Sequence, residues 1–454
     1  MRSHRCPGPP SRREFLRAGV LALGGLTLPQ LLAVHAADGK GSPNTSVILF
    51  WMWGGPSHLE TYDLKSSAPS EYRGPFRPIA TDVPGLDICE LLPRQARLGK
   101  KIAIVRSLHH TMSSHNDGSI EVLTGKTPAK ADPTSTALSE HPDFGMVASK
   151  VRGSRPDGLP QYVGIPTQPF MTRPGYLGLA HKAFAAGNPA APTYAPPNLT
   201  LAGGLNARGL DDRKALLAQL DTVRRDMDVM GRMEGTEKVQ AAALHMLANP
   251  SIGRAFDITR EPAKLRDRYG RHLWGQSCLL ARRLAEGGAA VITIDALAPE
   301  QGTPLYFSWD DHANAQPGWD LAKGMRWRAP FLDQALSALI EDVYDRGRDR
   351  DILIVAMGEF GRGPRMGTAN GCIGRDHWPD AMCALLSGGG LRTGQVVGST
   401  NSRGEHPKER PLTPKDVLAT VYRHLGIDHR RELIDFAGRP VPILSEGEPI
   451  GELC

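Results

Sequence analysis

A short apolar run followed by a polar, glycine-rich loop constrains the fold of this chain more than any other stretch. Residues 352–357 are all apolar, too few for a helix and bounded by Gly358, so they predict a buried parallel strand. Glu359 follows at once, at the carboxyl end of the strand, where open α/β sheets place their chemistry. Further charged residues come next in the loop: Arg362, Arg365, Arg375, Asp376 and His377. A second apolar run at 381–386 closes the loop, which predicts an active-site loop between two strands, with ordinary polar surface as the alternative.

Two more predicted strands end in polar loops. The apolar run 47–53 stops at a Gly-Gly turn that is followed by Ser57 and His58, and a tight turn with a capping serine is the alternative interpretation. The apolar run 102–105 leads through a polar loop to His115, where a helical pattern begins that ends in Leu-Thr-Gly-Lys. Both patterns again place polar side chains at the carboxyl edge of a parallel sheet.

A fourth predicted strand, 289–294, precedes the segment Trp-Asp-Asp-His-Ala-Asn at 309–314. Asp310 and His312 in this loop are residues of the types that bind metal ions directly. The segment therefore adds a candidate metal site to the same sheet edge.

Helical periodicity indicates the remaining elements. Helices are predicted over six ranges: 86–98, 211–233, 237–249, 263–286, 331–344 and 413–425. Residues 152–209 are rich in proline and glycine, and the block 152–288 is predicted to be an insertion that covers one end of the sheet.

Composition excludes several classes of protein. The 454 residues carry 54 Lys and Arg against 48 Asp and Glu, and this net charge of +6 is spread along the chain without a basic stripe, so no nucleic-acid partner is predicted. The high content of glycine (50) and proline (37) indicates many long loops. The cysteines are scattered without a Cys-x-x-Cys motif, so neither a disulfide framework nor a zinc knuckle is predicted.

The amino-terminal residues 1–36 have the pattern of a twin-arginine (Tat) export signal. Arg12 and Arg13 precede an apolar stretch at 18–34, and small residues follow at Ala36. We expect cleavage near Ala36, the Tat translocase as a partner during export, and a periplasmic or secreted protein. A Sec signal or an uncleaved anchor is the alternative. No later window reaches about 18 apolar residues, so no stable membrane span is predicted once the signal is removed.

Several motifs in a fixed order resemble one family. They are GGPSHLETYD, RSLHH, LTGKTP, WDDHAN, GEFGR, GRDHWP and SGGGLRTGQVVG, and they span roughly residues 47–428. Together they resemble the Tat-exported, sulfatase-like family of unknown function numbered 1501 (DUF1501), in the alkaline phosphatase superfamily. The resemblance implies an α/β fold, a three-layer α/β/α sandwich with a mostly parallel central sheet, as one domain over residues 45–450.

The resemblance also implies roles for single residues. Glu359 is similar to a late aspartate ligand at a strand end, and His377 to the last histidine ligand, with Asp376 beside it in the same metal set. Asp310 and His312 resemble the aspartate and histidine of the first metal. In contrast, His58 stands where the superfamily has an aspartate ligand, and His115 stands where it has its nucleophile.

The motifs imply a metal-dependent hydrolase of sulfate or phosphate esters that acts on a small molecule or a polysaccharide. The divalent metal is expected to be zinc, with calcium or manganese as alternatives, because histidines accompany the carboxylates. The nucleophile is a bound water, His115 or a serine such as Ser57, while Arg362, Arg365 or Arg106 contacts the anion.

Two other hypotheses stay open. The first is a non-catalytic metal- or polysaccharide-binding protein that kept the fold, since the usual nucleophile position holds His115. The second is an isomerase similar to phosphoglycerate mutase, against which the export signal argues.

Overall fold

The structure of the chain is a computed structural model that describes residues 44–196, 249–300, 302–304, 307–313 and 318–454. The predicted signal (1–36) and the helix predicted over 211–233 lie outside the described residues, as does the helix predicted over 237–249 except for its last residue. Within the described ranges, no helix has both the length and the apolar character that a membrane span requires.

The described part of the chain contains eighteen strands and nine α-helices. The strands are β1 (Ser46–Trp51), β2 (Pro78–Ala80), β3 (Asp87–Cys89), β4 (Ala103–Leu108), β5 (Tyr162–Ile165), β6 (Phe184–Ala185), β7 (Val291–Asp295), β8 (Ile352–Met357), β9 (Gly361–Arg362), β10 (Gly367–Ala369), β11 (Cys372–Gly374), β12 (His377–Trp378), β13 (Met382–Gly388), β14 (Gln395–Val397), β15 (Ser399–Thr400), β16 (Pro407–Glu409), β17 (Glu432–Ile434) and β18 (Pro440–Pro442). The α-helices are α1 (Ser70–Arg73), α2 (Pro93–Ala96), α3 (His115–Thr124), α4 (Phe144–Arg152), α5 (Pro250–Phe256), α6 (Ala263–Tyr269), α7 (Leu273–Glu286), α8 (Leu321–Asp345) and α9 (Pro414–Leu425). Single 3-10 turns occupy His58–Glu60, Gly99–Lys101, Gly175–Leu177, Leu179–His181 and Ile258–Arg260.

Eight strands form one central sheet in the order β14-β4-β13-β8-β1-β7-β5-β6. All neighbouring pairs are parallel except those of β13, which runs antiparallel to both β4 and β8. Strand β1 lies at the centre, with Trp51 opposite Met357 of β8 and Asp295 of β7. The ends of these three strands therefore meet at one edge, as the sequence predicts.

Helices cover both faces of the sheet, because alternate side chains of each strand point to opposite faces. On one face, Ile48 and Phe50 of β1 pack into an apolar core with α7 and α8. On the other, Leu49 and Trp51 pack into a second core with α3, α4 and α9. The predicted three-layer α/β/α architecture with a mostly parallel sheet is confirmed.

The individual helices depart from the predictions in three places. The helix predicted over 86–98 is wrong, because this range contains β3 and only the four-residue helix α2. The helix predicted over 263–286 is divided into α6 and α7 at Gly270, which has a positive φ of 95°. Helix α8 begins at Leu321, ten residues before the predicted start, and includes Pro330. Asp320 caps α8 by accepting a hydrogen bond from the backbone of Lys323 at 2.8 Å.

The block 152–288 contributes to the central architecture in its described part. Strands β5 and β6 extend the sheet beyond β7, and α7 packs on β1 and β7. The predicted limits of an insertion in this block stay a prediction.

Candidate metal centre

Three side chains converge at the carboxyl edge of the sheet. His115 begins α3, Asp310 lies in the loop after β7, and His377 begins β12. Each of the three residues offers one possible ligand atom, and these three atoms all lie within 4.8 Å of one another. The Nε2 atoms of both histidines lie 3.2 Å from an Asp310 oxygen, His115 from Oδ2 and His377 from Oδ1. We call this group the His-Asp-His cluster.

Glu359 fixes the orientation of His115. Its carboxylate is fully buried, and Oε1 lies 2.7 Å from Nδ1 of His115 and accepts a hydrogen bond from the backbone of Gly54 at 2.8 Å. The indole of Trp53 stacks on the His115 ring with 4.8 Å between ring centroids. Because Nδ1 donates its proton to Glu359, the lone pair of Nε2 in the neutral imidazole faces Asp310.

His377 has the same arrangement with a different partner. Its Nδ1 lies 2.7 Å from the carbonyl oxygen of Ser113, which can only accept, so Nδ1 carries the proton of the neutral ring. The lone pair of Nε2 therefore faces Asp310. When both rings are neutral, two imidazole lone pairs and a carboxylate point at each other, and either a proton on one ring or a metal ion between them relieves the repulsion.

The buried guanidinium of Arg362 holds Asp310 in place. Arg362 donates from Nη2 to the Asp310 carboxylate and to the carbonyl of Gly54, from Nε to Gly55 O at 2.9 Å, and from Nη1 to Arg375 O at 3.0 Å. All of these partners belong to the protein. The predicted anion contact of Arg362 therefore competes with an established set of internal hydrogen bonds.

A close backbone approach brings the His377 loop to the loop that carries Asp310. A Cβ on Gly374 would lie 2.0 Å from the backbone nitrogen of Ala313, so only glycine fits there. The approach places His312 beside His377, with their Nε2 atoms 3.0 Å apart. His312 also lies 3.0 Å from Oδ1 of Asp310, and its Nδ1 lies 3.1 Å from Oδ1 of Asp376, whose side chain is 93% exposed.

Burial and the charged groups of the cluster shift the pKa values of its three residues. Burial disfavours protonated His115, but hydrogen bonds with Asp310 and Glu359 outweigh burial and raise the pKa of His115 to about 9. Burial opposes ionisation of Asp310 as well, yet Arg362 and the three histidines hold the pKa of Asp310 well below its usual range. Burial lowers the pKa of His377. One proton on His115 thus supplies positive charge to the cluster in the absence of a metal.

Two predicted site residues lie in a different polar network. The hydroxyl of Ser57 donates to Glu60, which is fully buried and forms an ion pair at 2.8 Å with Arg375. His58 is also fully buried, its Nε2 lies 2.9 Å from the carbonyl oxygen of Gly404, and burial lowers its pKa. The structure brings His115, Asp310, His312, Glu359 and His377 together, with Asp376 at their edge. It does not bring Ser57 and His58 into the His-Asp-His cluster.

Sequence reasoning missed two residues that support the cluster. Asp295 ends β7, and burial together with the charge of Glu359 raises its pKa to about 7. Oδ1 of Asp295 and Oε2 of Glu359 are both buried, and neither has a hydrogen-bond partner among the described residues. The sequence signal that could have identified Asp295 is its position at the end of a strand that lies next to β1. His110 lies with Nε2 2.6 Å from the carbonyl oxygen of Glu359, and no pattern in the sequence indicates this contact.

A model of one protein family matches residues 44–454, with the description "Protein of unknown function (DUF1501)". The chain belongs to this family. The match covers every residue of the cluster, so the cluster is part of the DUF1501 domain itself. No curated protein matches the DUF1501 chain in sequence.

Solved structures are similar to the DUF1501 chain only at a low level. The PsFucS1 sulfatase from Pseudoalteromonas sp. is 13% identical, with 92% of this chain and 72% of the sulfatase covered and a TM-score of 0.35. The lipoteichoic acid synthase LtaP from Listeria monocytogenes is 10% identical, with 90% and 76% covered and a TM-score of 0.36. The phosphonate monoester hydrolase SpPMH from Silicibacter pomeroyi is 13% identical, with 89% and 74% covered and a TM-score of 0.31. Similarity at this level carries no information on substrate or activity.

Replacing Gly54 by alanine is expected to destabilise the protein. Gly54 has a φ of +109°, and an added Cβ would lie 2.6 Å from the backbone nitrogen of Asp310. We expect the free energy of unfolding to fall by about 2–3 kcal/mol, measured by urea denaturation. Gly253→Ala is the control, because Gly253 lies inside α5 with open space around it. Equal stability of the two variants would contradict the proposed close contact.

Stability of the metal-free protein is expected to fall as the pH rises. The folded-state pKa of His115 is about 9, above the value of 6.5 in the unfolded chain, so the stabilisation is complete below pH 6.5 and is lost as pH rises through 9. Urea denaturation in a chelator should show a loss of about 2 kcal/mol between pH 7.5 and 9.5. His115→Gln should remove most of this loss, whereas the control His141→Gln should keep it. An unchanged pH dependence in His115→Gln would refute the assignment.

Proposed function

We propose that the protein is an exported, metal-dependent hydrolase of phosphate or sulfate esters, with a divalent ion bound by His115, Asp310 and His377. The observation that carries the proposal is the convergence of two imidazole Nε2 atoms on one carboxylate, each group already oriented by a second partner. Two imidazole nitrogens and a carboxylate oxygen within 4.8 Å of one another form a set of ligand atoms that a divalent ion can bind together.

The donor set favours zinc. Two neutral imidazoles and a carboxylate are typical of catalytic zinc sites, which keep one position open for water or substrate. Calcium prefers six to eight oxygen ligands and is disfavoured by the two histidines, while manganese accepts mixed ligands and stays the alternative. When bound, a divalent ion would supply positive charge toward the anionic ester and lower the pKa of water so that it attacks at neutral pH.

Residues around the cluster supply the remaining chemistry. Glu359 orients His115 and increases the electron density on Nε2, as carboxylates do for metal-binding histidines. Phe360 is fully buried, and its ring lies 4.5 Å from the His377 ring and 5.3 Å from the His115 ring between centroids, so it excludes water from that side. The ligands are thereby held rigidly before any substrate binds.

His312 is placed to transfer a proton. Its ring is partly exposed, Nδ1 faces the carboxylate of Asp376, and Nε2 lies beside Asp310 and His377 at the open side of the cluster. In its protonated form His312 can donate to the leaving oxygen of the ester, and Asp376 stabilises the charged ring. A role as a fourth metal ligand would use the same Nε2 atom and is the alternative for this residue.

The structure favours water over a protein nucleophile in this proposal. Both nitrogens of His115 have partners within 3.2 Å, and the Ser57 hydroxyl is directed to Glu60. Arg106 is similarly occupied, since it donates to the carbonyls of Tyr62 at 2.6 Å and Asp87 at 2.7 Å. Arg365 is exposed and forms no ion pair or side-chain hydrogen bond among the described residues. Compensation of the ester's charge then depends on the metal, on His312 and on Arg365.

Export through the twin-arginine pathway is a further part of the proposal. It is supported by the twin-arginine pattern at residues 12–13 with the apolar stretch that follows. An exported hydrolase would bind its metal after or during folding in the cytoplasm, where Tat substrates fold. The free cysteines of the described chain agree with folding in a reducing compartment.

Metal analysis with activity assays tests the proposal. The purified mature chain is expected to contain about one zinc ion and to hydrolyse an aryl phosphate or an aryl sulfate. His377→Ala and Asp310→Ala should each lose the metal and at least about 100-fold in kcat/KM, because each removes one of three ligands.

His141→Ala is the matched control, because His141 lies outside the cluster against Tyr176. It should keep both metal and activity. A metal-free wild-type protein would overturn the proposal, and a metal-containing protein that hydrolyses neither ester class would support the non-catalytic binding protein instead. Circular dichroism of each variant separates loss of metal from loss of fold.

A further inference from the structure

A second pocket lies near the cluster and has no role in the proposed reaction. It is half-open, with a volume of about 390 Å3, at the lower end of the range for small-molecule sites. Its lining residues are Glu300, Gly302, Thr303, Pro304, Phe307, Trp319 and Trp327. We call it the aromatic pocket.

Three aromatic rings in the aromatic pocket meet at steep angles. The rings of Phe307 and Trp319 are 4.4 Å apart between centroids and inclined at 85°, and those of Trp319 and Trp327 are 5.9 Å apart and inclined at 76°. Rings in this arrangement present faces as well as edges to the space beside them. Aromatic faces carry negative charge density and attract cations.

The described residues that line the aromatic pocket carry charge of one sign. Glu300 is the one charged residue among them, and its carboxylate forms no ion pair or side-chain hydrogen bond within the described ranges. Lys323 lies one turn before Trp327 but directs its ammonium to the carbonyl of Gly318 at 2.5 Å and does not line the pocket. Aromatic faces with an unpaired carboxylate at the rim are complementary to an organic cation.

The pocket is held at a fixed place relative to the cluster. Only two residues along the chain separate Phe307 from Asp310, so their Cα atoms are at most about 11 Å apart. Arg328, next to Trp327 on α8, donates to the carbonyl of Ser308 at 2.9 Å and forms a buried ion pair with Asp311. This contact attaches the loop that carries Asp310 to the helix that carries Trp327.

We propose that the aromatic pocket binds an alkylated ammonium group. The cation would contact the faces of Trp319 and Trp327, with Glu300 compensating its charge. If the proposed hydrolase activity is correct, the substrate is an ester that carries this cation close to its phosphate or sulfate group, and this second step rests on that proposed function.

Calorimetric titration of the full mature chain with choline tests the binding step. The neutral isostere 3,3-dimethylbutanol has the same shape without the charge, and we expect it to bind roughly 5- to 30-fold more weakly. Trp327→Leu, which keeps an apolar side chain, should weaken choline binding by a similar factor, and Glu300→Gln by about 2- to 5-fold. Tyr344→Leu is the control on the same helix, since Tyr344 does not line the pocket and contacts Lys101 instead.

Each outcome decides the inference. Equal affinity for choline and its isostere, or unchanged choline binding in Trp327→Leu, would overturn it, as would tighter binding of a neutral sugar than of choline. Turnover of a choline ester compared with its dimethylbutyl analogue tests the substrate step. Choline binding without turnover of either ester would keep the pocket assignment and refute the substrate step, while the aryl ester assay decides the hydrolase. Turnover of both esters without preference for the cation would keep the hydrolase and refute the substrate step.

Discussion

The buried guanidinium of Arg362 is the interaction on which the rest of the site depends. It joins the turn after β1, the loop after β7 and the loop before β12 by hydrogen bonds to Gly54, Gly55, Asp310 and Arg375. Arginine suits this position because its planar group offers five donors and keeps its charge when buried. Removing it would leave three carbonyls and a carboxylate unpaired in the interior, which costs far more than the loss of one surface ion pair.

Electrostatics at the cluster follow from this arrangement. Arg362 compensates part of the negative charge of Asp310. One further positive charge, rather than two, is therefore enough to balance the cluster. A proton on His115 supplies that charge in the metal-free protein, and a divalent ion would displace it. Proton and metal therefore compete for one position, which couples metal affinity to pH. The neighbouring pair Asp295 and Glu359 adds buried carboxylate oxygens without partners close to the same position.

The sequence allowed the sheet to be predicted because buried parallel strands are continuous apolar runs that end abruptly. Residues 47–53 and 352–357 have this pattern, and the residues after them lie where the pattern predicts. His115, Asp310, Glu359 and His377 were predicted from strand ends and motifs, and the structure brings them together. Ser57 and His58 fit the same pattern equally well, but the direction of a side chain in a turn depends on long-range partners such as Glu60 and Gly404. Helix limits failed where tertiary contacts override local signals, as at Pro330 inside α8.

The antiparallel direction of β13 determines where the sequence near the site can vary without disturbing the sheet. Because β13 lies beside β8 and runs opposite to it, the chain that leaves the sheet after β8 returns to the same edge at the adjacent position. Residues 358–381 therefore form an excursion whose two ends are neighbours, with no crossover over either face of the sheet. The small sheets β9–β12 and β10–β11 give this excursion its own internal pairing. Residues can be inserted or exchanged at the tip of the excursion while the layers beneath keep their packing, so the rim that meets a ligand can diversify independently of the scaffold.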